Sequence, residues 1–145
     1  MTSWKVYLLY NKAANRTYIG ASTDPERRLR EHNSGKGARA TRACLGYGDW
    51  LLVAHLEGFE SKSGAYSIEK LLKLHHKGLH NRYDAFRALS EGVFCKRGVD
   101  VSEQYSIPKL GLKDYQKIAV RPTDKSVGRM SISREITIKG SGNNG

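Results

Sequence analysis

The chain has 145 residues, 39% of them hydrophobic and 27% charged, which is enough apolar content for one globular domain with an extension. No apolar run approaches the roughly 20 residues that span a bilayer, so a membrane protein is excluded. Its 25 Lys and Arg against 14 Asp and Glu give a formal charge of +11, the footprint of a polyanion binder.

The excess is spread along the chain, +6 in residues 1–79 and +5 in residues 80–145, so it is not a basic tail. Cys44 and Cys95 lie far apart and outside any C-x-x-C pair. A zinc module needs about four closely spaced ligands and is excluded; two free thiols in a reducing compartment are expected. The first residues carry no charged segment leading into an apolar stretch, so the expectation is a cytoplasmic or nuclear protein that is not secreted.

Residues 4–10 (Trp-Lys-Val-Tyr-Leu-Leu-Tyr) are rich in β-formers and predict a strand. Residues 11–15 are a polar connection with two asparagines. Residues 16–20 predict a second strand, and the short spacing predicts an antiparallel hairpin. Thr23-Asp24-Pro25-Glu26 has the pattern of a capping box with Thr23 at the N-cap, opening a helix that runs to about Asn33. Residues 35–48 read as a basic, glycine-containing loop, and residues 49–57 as a third strand. Ser61 or Ser63 can cap a second helix over about 63–77. Its apolar positions Ala65, Ile68, Leu71, Leu72 and His75 follow helical spacing, and Gly78 is expected to stop it. The pattern β-β-α-β-α predicts an α+β domain: a small three-stranded antiparallel sheet flanked by helices. Residues 83–89 suggest a short helix, residues 130–139 a late strand, and residues 140–145 a flexible tail. The division expected is a domain over 1–79 and a basic extension over 80–145 that binds DNA, mediates dimerisation or completes the core.

Four features carry chemistry. Tyr7 and Tyr18 fall on adjacent hairpin strands, where two hydroxyls on one face can hold a water and a phosphate; packed strand aromatics are the plain alternative. Arg28 and His32 are four apart on one helix face, flanked by Arg27 and Arg30. A guanidinium fork suits the charge of a phosphoryl transition state, and histidine can donate to a phosphate or exchange a proton. A solvated basic face is the alternative. Glu69 sits beside the apolar stripe of its helix, where a lone carboxylate is costly unless paired or bound to a metal. Mg²⁺, which keeps most of its waters, needs few such ligands; an exposed i, i+4 pair with Lys73 is the alternative. Residues 35–42 alternate small residues with Lys36, Arg39 and Arg42, and Thr41 stands among them, a composition that suits phosphate contacts.

In this order the residues resemble the GIY-YIG nuclease family. The second triplet is intact as Tyr18-Ile19-Gly20, while the first, Lys5-Val6-Tyr7, departs at two positions and keeps its tyrosine. Residues 28–33 look like the family's arginine-to-histidine helix, and residues 65–69 like its metal-glutamate helix. Residues 37–42, Trp50 and Gly58-Phe59 further resemble the branch of structure-selective junction nucleases and their small single-domain bacterial relatives. The resemblance covers about residues 4–78. It implies a nuclease of DNA repair and recombination that uses Mg²⁺, with Mn²⁺ able to substitute. Glu69 would be the metal ligand, Tyr7 the general base, and Arg28 the group that stabilises the phosphate. Tyr18 and His32 would orient water or phosphate, and Gly20 would allow close backbone packing. Arg27, Arg30, Lys36, Arg39, Thr41 and Arg42 would contact DNA. Junction-resolving relatives carry a cysteine-rich zinc domain and work with a scaffold partner; this chain lacks those cysteines, and a scaffold protein or a homodimer are the further partners to consider. The expected substrate is branched or structured DNA. A sequence-specific restriction or homing enzyme and a non-catalytic nucleic-acid-binding module are the alternatives.

Overall fold

The computed structural model describes residues 3–105 and 107–114. Strands β1 (Trp4–Asn11) and β2 (Arg16–Ser22) form the expected antiparallel hairpin. Asn15 closes it in the left-handed region, at φ 52°, which asparagine tolerates better than most residues. Its side chain accepts from the Tyr10 hydroxyl at 3.0 Å.

Helix α1 (Pro25–Asn33) starts one residue later than its sequence suggests. Proline fits the first helical position, where no N–H is needed, so the cap falls on Asp24, whose carboxylate accepts from the Arg27 amide at 3.1 Å. Thr23 therefore lies outside the helix, and Glu26 is one position short of a capping box. The expected basic loop contains a short helix, α2 (Arg39–Arg42). Strand β3 (Leu51–Phe59) then pairs antiparallel with β1 on the side away from β2. Ser61 caps α3 (Lys62–His75) by accepting from the Gly64 amide at 3.1 Å. Gly78 does not close α3; with φ at 83° it opens the next helix, α4 (Leu79–Ser90). A small hairpin of β4 (Cys95–Lys96) and β5 (Val99–Asp100) follows, then α5 (Ser102–Tyr105) and β6 (Gly111–Asp114).

β6 pairs antiparallel with β3, so the sheet has four strands in the order β2-β1-β3-β6. The α+β class is as expected, and the fourth strand comes from a stretch whose alternation is too short to read. The expected late strand at 130–139 and the tail lie outside the described residues.

β1 is an inner strand, and residues 6–11 are buried on both faces. On one face Val6, Leu8 and Tyr10 pack with Ala65, Ile68 and Leu72 of α3 and with Tyr83, Phe86 and Leu89 of α4. On the other, Tyr7 and Leu9 pack with Cys44, Trp50 and Leu52. The β1–β3 pairing passes from Leu8↔Ala54 to Leu9↔Leu52; this bulge sends both Val53 and Ala54 into the larger core. Residues 80–114 share that core, and the Tyr83 hydroxyl ties α4 to β6 by donating to Asp114 at 2.8 Å. Both cysteines are free. Among the described residues, no helix is long and apolar enough to cross a membrane.

Phe86 is 0% exposed in the larger core. Phe86→Ala is expected to cost about 3–5 kcal/mol, lost in one cooperative transition. Urea unfolding followed by circular dichroism measures it; a loss under about 1 kcal/mol would mean that α4 packs only peripherally.

Candidate active site

The site begins with a close approach inside the hairpin. Tyr7 and Gly20 are cross-strand partners, and the Tyr7 ring lies across the glycine. A Cβ at Gly20 would sit 2.5 Å from the Tyr7 hydroxyl oxygen, so only glycine permits this ring position. Tyr18 stands beside it, its ring 6.3 Å from that of Tyr7 and 4.9 Å from that of His32.

α1 delivers Arg28 and His32 from the same face. His32 is 0% exposed, and the loop backbone is pressed against it: a Cβ at Gly37 would lie 2.2 Å from Nδ1. Both ring nitrogens are engaged. Nε2 is 3.0 Å from the Tyr7 hydroxyl, and Nδ1 is 2.9 Å from the Thr41 hydroxyl. Thr41 donates its single proton to the Ala38 carbonyl at 2.8 Å. Its oxygen can therefore only accept from His32, so Nδ1 carries the imidazole hydrogen and Nε2 offers a lone pair to the Tyr7 O–H. Burial, reinforced by the Arg28 charge, depresses His32 to about 4, against an ordinary 6.5, and keeps it neutral. Burial pushes the Tyr7 hydroxyl up, Tyr18 adds to this, and a hydrogen bond from Arg28 opposes it.

This geometry corrects two expectations. His32 has no nitrogen left to orient a water or a phosphate; whatever it does, it does through Tyr7. Thr41 does not face DNA: it is 0% exposed and committed to His32 and Ala38. Its carbonyl in turn accepts from the Trp50 indole at 3.1 Å.

Tyr7, Tyr18, Arg28 and Glu69 line one cleft of about 380 Å³. Gly20 and Ala21 line it from β2, and Tyr66, Lys70 and Lys73 complete the α3 wall. The Glu69 side chain is 19% exposed and pairs with Lys73 at 2.8 Å, so the i, i+4 pair weighed as the alternative exists within the cleft. Arg28 pairs with Glu31, which also accepts from Arg27 at 2.9 Å; the two guanidiniums, Arg28 foremost, hold the Glu31 carboxyl below its usual range. Arg30, Lys36 and Arg39 are exposed, as are Arg27 and Arg42. None of these five lines the cleft, and Arg42 donates to the Gly37 carbonyl at 2.9 Å. Gly37, Tyr66, Lys70 and Lys73 are the positions that sequence reasoning passed over as site residues. Helical spacing from Glu69 signals Tyr66 and Lys73, and spacing from Tyr66 signals Lys70, whereas Gly37 carries no local signal.

Among the described residues, no three His, Cys, Asp or Glu groups converge as a metal cage. A single carboxylate in an open cleft does not fit zinc. It fits a hard divalent cation that keeps most of its water.

An arginine, a carboxylate and a tyrosine hydrogen-bonded to a neutral imidazole thus line one cleft, residue types that suit a phosphate ester. Residues 3–84 match the family profile of the GIY-YIG catalytic domain, and the chain belongs to that family of nuclease domains. It is 43% identical to a UPF0213 protein of Aeromonas salmonicida over 79 residues, 54% of each chain. It is 40% identical to one from Streptococcus pyogenes over 74 residues, half of this chain and 76% of that protein. An uncharacterised protein of Acanthamoeba polyphaga mimivirus is 36% identical over 73 residues, 48% of this chain and 42% of that protein. The chain spans about half the length of the mimivirus and Aeromonas proteins. The expected kinship with small bacterial relatives is thus present.

Two outcomes test the geometry. Gly20→Ala should cost about 1–3 kcal/mol through overpacking. That cost should shrink in a Tyr7→Ala background; equal costs in both backgrounds, measured by urea unfolding, would show that the ring is not the obstacle. The depressed pKa of His32 means that the unfolded chain binds the extra proton first as pH falls. The resulting stability is full above about 6.5 and is lost as pH falls towards about 4. The thermal midpoint of His32→Gln should therefore fall less across that window than that of the parent.

Proposed function

We propose that the protein is a Mg²⁺-dependent DNA endonuclease that nicks branched or structured DNA, with Mn²⁺ able to replace Mg²⁺. The observation that supports it most is the meeting of Tyr7, Arg28 and Glu69 around one cleft. Each comes from a different element, and a packing role for all three would not require that they meet.

In this reading, Glu69 would hold the cation, and the cation would supply Lewis-acid stabilisation of negative charge on the phosphate and the leaving oxygen. Arg28 neutralises the charge that builds on the phosphorus-bound oxygens. Tyr7 accepts a proton from the attacking water while its own hydroxyl proton passes to Nε2 of His32. The water oxygen bonds to phosphorus as the P–O3′ bond breaks. Tyr7 and His32 are both held neutral in the free protein; the Arg28 charge favours loss of the Tyr7 proton but opposes protonation of His32, so the imidazolium is stabilised only as negative charge builds on the bound phosphate. Tyr18 orients the water or the phosphate. Arg27, Arg30, Lys36, Arg39 and Arg42 neutralise flanking phosphates from outside the cleft.

Glu69→Gln and Arg28→Ala should each lower cleavage at least about a hundredfold while leaving DNA binding within about threefold. Binding of the parent should fall steeply with added salt. Linear duplex, flap and four-way junction substrates, each with and without Mg²⁺, form the measurement. Cleavage confined to one short sequence would replace the branched substrate with a sequence-specific one. DNA bound but never cut would leave a non-catalytic module.

A further inference from the structure

α3 presents Tyr66, Glu69, Lys70 and Lys73 to the cleft, and Lys62 lies one turn before Tyr66 on the same helix. Glu69 has its place in the proposed chemistry, but Tyr66 does not. It lines the cleft and is 47% exposed. Among the described residues Tyr47 is the other widely exposed aromatic ring; Tyr66 is distinguished from it by lining the cleft.

The ring is held in place. Trp4 meets it edge to face, with centroids 6.1 Å apart and planes at 81°. The Lys62 amine stands 5.4 Å from the Tyr66 centroid and 5.7 Å from that of Trp4. β1 carries Trp4 and α3 carries both other residues, so the corner is fixed by the same two elements that carry Tyr7 and Glu69. An aromatic face braced by a second ring and surrounded by lysines has the composition of a nucleobase platform. The ring takes the base, and the cations take the adjoining phosphates.

We propose that Tyr66, braced by Trp4 and Lys62, is a stacking site for one unpaired nucleobase of the strand whose phosphate lies at Glu69. This rests on the nuclease reading and adds a reason for substrate choice. Tyr66 is three residues before Glu69, about 4.5 Å along the helix axis, so the stacked base belongs to a nucleotide next to the cleaved bond. Bases within a duplex have both faces covered by their neighbours, so only a base freed by a flap, fork or junction can lie on Tyr66. Lys62 and Lys70 flank it one turn away on either side, where the phosphates of such a strand would pass.

The test compares the parent, Tyr66→Phe and Tyr66→Ala in the full chain. Affinity for a fluorescent single-stranded oligonucleotide and for a paired duplex of the same length is read by anisotropy without added metal. KM and kcat on flap and duplex DNA are read in Mg²⁺. Tyr66→Ala should lower the single-strand-over-duplex affinity ratio by about 5- to 150-fold, the range for one base–aromatic stack. The flap-over-duplex ratio of kcat/KM should fall with it, mainly through KM. Tyr66→Phe, which keeps the ring, should hold both ratios close to those of the parent. Unchanged ratios in Tyr66→Ala, or an equal loss in Tyr66→Phe, would overturn the platform. If the parent cuts no DNA, the nuclease reading fails, and the metal-free affinity ratio still decides the platform.

Discussion

The hydrogen bond between the Tyr7 hydroxyl and His32 Nε2, 3.0 Å long, is the contact on which the rest of the site depends. It joins a strand residue to a helix residue 25 positions later, and it is buried at both ends. In such surroundings an unpaired hydroxyl or imidazole is costly, so the structure around the bond is arranged to complete it. Gly20 makes room for the Tyr7 ring. Gly37 lets the loop backbone reach the imidazole. Thr41 accepts from Nδ1 and donates its own O–H to the Ala38 carbonyl. Removing any one of these leaves a buried polar atom of another without its partner.

That dependence explains which parts of the site were legible in the sequence. Strand alternation and helical spacing state which faces Tyr7, Tyr18, Arg28 and Glu69 occupy, but each has a plain packing or ion-pair alternative, and it is their ordered resemblance to the family that joins them into one candidate site. His32 is legible as a residue but not in its surroundings. Its burial is set by a loop that folds back over α1, and no local pattern encodes the approach of Gly37. Thr41 sits among Lys36, Arg39 and Arg42 and reads as one more phosphate contact, until its burial assigns it to the interior. The fold shows the same division. The hairpin, α1, β3 and α3 follow from residue patterns, whereas β6 is four residues long with an exposed Gly111, and its pairing with β3 is a tertiary event. At α1 two local rules compete, and the proline at the first helical position outweighs the capping box by a single residue.

The charges of the cleft follow from the same reluctance to leave a group unpaired. Glu69 is answered by Lys73 and Arg28 by Glu31, so with Lys70 also in the wall the cleft keeps only a small positive excess although the chain carries +11. On the proposed reading, both pairs are exchangeable. A divalent cation competes with the Lys73 amine for the Glu69 carboxylate, and a phosphate competes with Glu31 for the Arg28 guanidinium. Both pairs are partly exposed, so each is weakly held and screened, and exchange costs little. The buried Tyr7–His32 pair is the opposite case, neutral and fixed in one tautomer. Permanent order is thus kept where a proton would move, and replaceable ion pairs stand where ligands would enter.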